Sequence, residues 1–284
     1  MQNAEIMGML AAQWANESQP PRYPLLIRTR HFDVPIPHPR LSRFVYTKLA
    51  DCVLTTSPRV AAHFQELFRL PADRVSTVPT GIDLALFSPD GPAAELMAKE
   101  RRRNRPLVGM ISVLRLAKGH EILFQAARIL RDASFPIHCI IVGDGPRTYL
   151  DQKVGEFGLT EEVTFLGHRE DIPAVLRALD VLAIASLHEG IPQVGLQALA
   201  TKTPVVGSDV GGIPSIIRHG ETGRLVPPGD PKALAQAIRE ALQGSSATRA
   251  MAERGRALVE AQHSLEHMLD RLEQIYRGRL AEFS

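Results

Sequence analysis

The stretch DVLAIASLHEGIPQVGLQALA, residues 180–200, changes character halfway along. DVLAIAS (180–186) is a near-continuous apolar run of strand length. IPQVGLQALA is a helix candidate opened by Pro192, a residue suited to a first helical turn. Glu189 and Gly190 stand where strand gives way to helix. Outward from this stretch the alternation repeats. LVGMISV (107–113), IHCIIV (137–142), EVTFL (162–166), PVVG (204–207) and RLVP (224–227) read as strands. HEILFQAARIL places apolar residues at 122, 123, 126, 129 and 130, one face of a helix. RTYLDQKVGEFG and DIPAVLRAL are further helix candidates. The pattern predicts an α/β fold, a parallel sheet covered on both faces. Such sheets bind ligands in the crevice at the carboxyl ends of their strands, where strand order reverses, so function is sought in the turns after strands.

Residues 1–88 read as a shorter region. IRTRH (27–31) and DCVLTTS (51–57) suggest two strands; RLSRFVYTKLA (40–50) and RVAAHFQELF (59–68) suggest helices. Proline-rich breaks fall at 34–39 and 88–92. Two strands are few for an independent α/β domain, so this part reads as incomplete. The expected division is a partial amino-terminal lobe at 1–90, a linker at 91–105, a larger lobe at 106–262 and a terminal helix at 263–284.

Composition bounds the function. A hydrophobic content of 44% and a charged content of 23% describe a soluble globular chain. With 33 basic and 31 acidic residues the net charge is only +2, which argues against a dedicated nucleic-acid binder. Arg101, Arg102, Arg103 and Arg105 form a local cluster. It reads as a solvated linker or helix end and leaves open a contact with anionic headgroups or an acidic ligand. No apolar run approaches the ~20 residues that cross a bilayer. The opening MQNAEIMGMLAAQWANESQPP lacks the basic n-region of a signal peptide. Cys52 and Cys139 sit inside apolar runs, as buried small hydrophobes do in a reducing compartment, and a cytoplasmic location is expected.

Four strand-to-helix turns carry candidate chemistry. VGDGPR (142–147), with Gly143, Asp144 and Gly145, is either a plain tight turn or one that brings backbone amides to a nucleotide. It lacks the third glycine of the dinucleotide fingerprint. LRLAKGHE (114–121) sets Arg115 and Lys118 just past a strand, two cations suited to a diphosphate or simply to solvent. SLHEGIP places the Gly190 and Ile191 amides at a helix start that favours an anion. Glu189 there either complements the helix dipole or accepts from ligand hydroxyls, and Gln197 can reach a second group. SDVGGIP (208–214) allows close backbone approach through its glycine pair. Zinc-protease, P-loop and G-x-S-x-G patterns are absent, as are D-x-D and any metal-ligand histidine spacing.

SLHEGIPQVGLQALATKTPVVGSDVGGIPSIIRHGETGRLVPPGD (186–230) resembles the carboxyl-terminal domain of the large retaining glycosyltransferase family with the GT-B fold. VPTGIDLALFSP (78–89) resembles its interdomain signature, and VTFLGHREDIPAVL its nucleobase turn. The likeness runs from about Leu25 to the carboxyl terminus and in detail is to bacterial transferases that build lipopolysaccharide or other surface glycans. It implies two Rossmann-like lobes, the amino-terminal one lacking roughly its first half, with the final helix crossing back onto that lobe. It further implies that Arg115 and Lys118 hold a donor diphosphate with the Gly190 and Ile191 amides. Gly143, Asp144, Gly145, His168 and Arg169 would frame the nucleobase, largely through backbone. Glu189 would contact sugar hydroxyls. Gln197 would hold the ribose where most relatives have a second glutamate, and His31 would touch the sugar from the other lobe. Ser215 stands where many relatives have glutamate. The partners implied are a nucleotide-sugar donor and a glycan or lipid-linked acceptor. No cofactor and no metal are implied, and no nucleic acid; a peripheral contact with the inner membrane face stays open. A nucleotide-sugar-binding remnant without turnover and a nucleotide-sugar epimerase are the alternative readings.

Overall fold

The computed structural model describes residues 26–30, 39–95, 105–244 and 246–282. These form two compact units: the residues up to Gly81 together with those from Glu266 onward, and Ile82–Leu265.

The first unit holds three parallel strands, β1 (Ile27–Arg30), β2 (Cys52–Thr55) and β3 (Val75–Thr77), in that spatial order. Ile27 lies opposite Cys52, and Val53 opposite Val75. β3 is a strand beyond the two expected from sequence. Helix α1 (Pro39–Phe44) runs into a π-helical turn, Val45–Leu49. Helix α2 (Pro58–Phe68) starts where its composition says it should. The Ser57 hydroxyl accepts the Val60 amide at 3.3 Å, and Pro58 occupies the first turn. Tyr46, Phe64 and Phe68 stack over one face of the sheet, with Tyr46 5.1 Å from Phe64 and 5.0 Å from Phe68 between ring centroids. The carboxyl-terminal helix, Leu265–Glu282, lays Met268, Leu272 and Ile275 against Cys52, Leu54 and Val78. A small sheet is thus buried on both sides by borrowing a helix from the far end of the chain.

The second unit is built as its apolar strand runs require. Its elements run β4 (Leu107–Ile111), α3 (His120–Asp132), β5 (His138–Val142), α4 (Thr148–Glu156), β6 (Val163–Gly167), α5 (Ile172–Ala178), β7 (Val181–Ile184), α6 (Gln193–Ala200), β8 (Val205–Ser208), α7 (Ile213–Ile216), β9 (Arg224–Val226), α8 (Pro231–Leu242) and α9 (Ser246–Gln262). The strands are all parallel, in the order β6-β5-β4-β7-β8-β9. Alternate residues divide between two cores. Val108, Met110, Cys139 and Ile141 meet Leu123, Phe124 and Leu130 of α3 and Leu234 and Ile238 of α8. Leu107, Ile140, Leu182 and Ile184 meet Leu176 of α5, Leu196 and Leu199 of α6 and Val259 of α9. Burial on both faces explains why these strands read as continuous apolar runs. Both cysteines are free and buried.

The division between units falls before Ile82, earlier than the expected boundary at 90. Ile82, Phe87 and Ala94 are buried in the second core, and Arg177 and Arg256 donate to the carbonyls of Ser88 and Phe87. Of the basic cluster, Arg105 pairs with Glu162 at 3.2 Å; Arg101, Arg102 and Arg103 lie outside the described residues.

Trimming Ile275 to alanine opens a cavity against Cys52 and Leu54. It is expected to lower stability by about 2–4 kcal/mol in urea unfolding; an unchanged midpoint would contradict this packing.

Candidate functional site

Strand order reverses between β4 and β7, because β5 and β6 continue to one side of β4 while β7, β8 and β9 continue to the other. Neighbouring crossovers therefore part at this point and leave a crevice beyond the strand ends. The turn after β4 carries Arg115 and Lys118, and the turn after β7 carries Glu189. The two meet there: Lys118 Nζ donates to Glu189 Oε2 at 2.7 Å. Ser186 Oγ donates to the same oxygen at 2.9 Å. The Glu189 side chain is 8% exposed, whereas that of Lys118 is 24% exposed. Glu189 Oε1 bonds to nothing among the described residues.

Backbone hydrogen bonds stitch the turns together past the ends of the strands. Leu114 N donates to Asp144 O at 2.8 Å, Leu187 N to Ala117 O at 2.8 Å and Gly212 N to Gly190 O at 3.0 Å. Glycine is demanded where these turns press on one another's backbone, as at Gly119 and Gly211. A Cβ on Gly119, whose φ is +75°, would lie 1.9 Å from the Ala185 carbonyl oxygen; one on Gly211, at φ +60°, would lie 1.8 Å from that of Glu189. The Glu189 backbone is consequently held from behind.

Other expected positions behave unequally. Arg115 is exposed, with no ion-pair partner among the described residues. The Gly190 and Ile191 amides also donate to nothing among them. They precede the helix rather than open it: Pro192 is the N-cap, in extended conformation, and α6 begins at Gln193. Gln197 is half-buried on α6, its side-chain amide unbonded among the described residues. The Gly143 amide is spent on the Gly167 carbonyl at 2.9 Å, joining the turn after β5 to the end of β6. His168 Nδ1 stands 3.7 Å from Asp144 Oδ2, and both side chains are well exposed. Arg169 is committed sideways by paired bonds to Asp171 of 2.7 and 2.6 Å, which lower the Asp171 pKa and raise that of Arg169. Two of its five N–H donors, those on Nε and Nη2, are thereby directed at Asp171 and not toward the crevice. Ser215 Oγ donates to the Gly212 carbonyl at 2.6 Å. His31 lies outside the described residues.

One contributor went unnoticed in the sequence. His120, the first residue of α3, is buried beneath the Arg115–Lys118 turn, with Nε2 3.4 Å from Ser112 Oγ. Burial lowers its pKa to about 4, partly offset by the nearby Arg115 backbone and reinforced by the Lys118 charge; Nδ1 has no hydrogen-bond partner among the described residues. The imidazole is neutral under the cations. Its only sequence signal was a histidine at a helix start directly after the glycine of LAKGHE.

A cleft of about 450 Å³ also lies at the opposite, amino-terminal edge of the sheet, lined by Arg105, Asp180, Lys202 and Arg249. Its charges are engaged internally: Arg105 with Glu162, Lys202 with Glu253, Asp180 with the Leu107 amide and Arg249 with the Gly244 carbonyl. Among the described residues no three His, Cys, Asp or Glu side chains are grouped to hold a metal ion, and no helix is long and apolar enough to cross a membrane.

Comparison with known proteins gives a consistent result. Residues 105–244 match the family model for glycosyl transferases group 1, and residues 6–86 that for glycosyltransferase family 4. D-inositol 3-phosphate glycosyltransferase of Mycolicibacterium gilvum is 31% identical over 244 residues, covering 82% of this chain and 53% of that protein. Alpha-D-kanosaminyltransferase of Streptomyces kanamyceticus is 30% identical over 233 residues, covering 80% and 60%. The chain thus spans little more than half the length of these relatives. Anabaena Alr3699/HepE, solved in complex with UDP-glucose, superposes with a TM-score of 0.84 at 26% identity, over 99% of this chain and 77% of that one.

Because the unfolded His120 titrates near 6.5 and the folded one near 4, the unfolded state binds the extra proton between these values. Stability is full above about pH 6.5 and falls as pH drops toward 4, by about 2 kcal/mol at pH 5 from this group alone. Urea midpoints of wild type and His120→Gln at pH 7.5 and 5 test this: the variant should show the smaller loss, and equal losses would contradict the assignment.

Proposed function

Since the chain belongs to the GT-B glycosyl transferases of group 1, we propose that it moves a sugar from a nucleoside diphosphate donor to a hydroxyl of a glycan or lipid-linked acceptor, with retention of anomeric configuration. The observation that carries this reading is the crevice between β4 and β7. There Arg115 and Lys118, the unspent Gly190 and Ile191 amides and the half-engaged Glu189 carboxylate converge.

The two cations and two amides bind the diphosphate and stabilise the charge that grows on it as the bond from sugar C1 to the phosphate oxygen breaks. Glu189 Oε1 accepts from a sugar hydroxyl. Gln197 offers the ribose one acceptor oxygen and an N–H donor. The turns at 143–145 and 168–169 frame the nucleobase by backbone and shape. The acceptor oxygen bonds to C1 on the face the diphosphate leaves, and its proton passes to that phosphate. No protein base and no metal is assigned a step. A role in lipopolysaccharide or another surface glycan, on the cytoplasmic side with peripheral membrane contact, fits a lipid-linked acceptor.

Release of nucleoside diphosphate from a panel of UDP-, GDP- and dTDP-sugars, with and without acceptors, tests the reading. Acceptor-dependent release is expected. Nucleotide binding without release in any combination would mean a binding protein, and a product that keeps its nucleotide would mean an epimerase. Arg115→Ala should lower kcat by about 10²–10³-fold. Gln197→Glu should keep or tighten nucleotide binding, because a carboxylate gives the ribose hydroxyls a charge-assisted bond; a clear loss of affinity would show that the amide has a different task.

A further inference from the structure

The Lys118–Glu189 pair joins a residue assigned to the diphosphate with one assigned to the sugar. Lys118 has three N–H donors and spends one on Glu189 Oε2. The remaining two can meet a diphosphate without breaking that bond. Glu189 likewise keeps Oε1 for a sugar hydroxyl while Oε2 stays with Lys118 and Ser186. The intact donor is therefore received without loss of the ion pair. What changes is the situation after transfer. The sugar hydroxyl has gone, and a terminal phosphate that carried a sugar now presents bare anionic oxygens to Glu189. The carboxylate cannot retreat easily: its side chain is 8% exposed, Gly211 abuts its backbone carbonyl, and Gly212 is hydrogen-bonded to Gly190.

Resting on the donor-site reading above, we propose that Glu189 is also a specificity-determining residue against the product. It opposes the unsubstituted terminal phosphate of a nucleoside diphosphate, both by direct repulsion and by competing for Lys118. The carboxylate thus favours the sugar-bearing donor over the sugar-free product, and it expels the product once the sugar has left. Arg115, exposed and unpaired among the described residues, carries no such counterweight.

Calorimetric titration of the full chain with UDP, GDP and dTDP, and with the matching monophosphates, tests this. For the nucleotide that binds wild type, the terminal phosphate should improve affinity by only about threefold over the monophosphate, since one cation is offset by one carboxylate. Glu189→Gln should tighten the diphosphate about tenfold and leave the monophosphate unchanged. The tightening should vanish when Lys118→Met is added. A hundredfold gain from the terminal phosphate in wild type would overturn the proposal without recourse to any variant. So would a Glu189→Gln protein, folded by circular dichroism, that binds the diphosphate no better. If no nucleotide binds wild type, the donor-site reading itself falls and takes this inference with it.

Discussion

A single ion pair spans the place where the larger sheet reverses its strand order. Lys118 and Glu189 come from turns on either side of the β4–β7 junction and meet at 2.7 Å. Everything around them serves that meeting. Parallel strands with buried faces fix the directions of β4 and β7, and the reversal opens the crevice. The inter-turn hydrogen bonds carry the regularity of the sheet several residues past its strands, so that loop residues sit on something close to a rigid frame. A part-buried pair of opposite charges is costly to leave half-made, which ties the geometry of each turn to that of the other.

Close backbone approach is what such a frame requires, and it explains the glycine content of the turns. Gly119 and Gly211 are crossings where one turn rests against a carbonyl of the next. Beneath them His120 is kept uncharged by burial, so the positive character of the Arg115–Lys118 turn arises from the exposed side rather than from within. The arrangement separates fixed support from available chemistry. Backbone groups of Gly143, Leu187 and Gly212 are consumed in holding the turns; the Gly190 and Ile191 amides and the Gln197 side chain have no bond among the described residues.

Much of this was legible in the sequence because the larger unit obeys simple periodicity. All six of its strands appear as short apolar runs, and α3 as a single apolar face, since their side chains fill the two cores or, at the edge strand β6, pack against them half-buried. The smaller unit was less legible. Val75–Thr77 contributes only three residues, two of them hydroxylated and half-buried, so no apolar run marks β3. Its sheet depends on a helix from the other end of the chain, a relation that local pattern does not carry. At the site, residue types were readable but their state was not. Lys118 and Glu189 are 71 positions apart, so their bond follows from strand order and not from any spacing. Glycines at 143 and 145 suggest amides available to a phosphate or nucleotide, yet the first is tied to Gly167, whose carbonyl at the neighbouring strand end satisfies it. The habits of proline suggest that Pro192 lies in the first helical turn, whereas its extended ψ of 110° makes it the cap.

The crevice between β4 and β7 is the proposed seat of a nucleoside diphosphate. A crystal structure of the full chain soaked separately with UDP and GDP tests it most directly. Diphosphate oxygens are expected within hydrogen-bond distance of Lys118 Nζ, Arg115 and the Gly190–Ile191 amides, with Glu189 still bonded to Lys118 through Oε2. Nucleotide seated instead in the cleft by Arg105, Lys202 and Arg249, with the Lys118–Glu189 turns untouched, would contradict it.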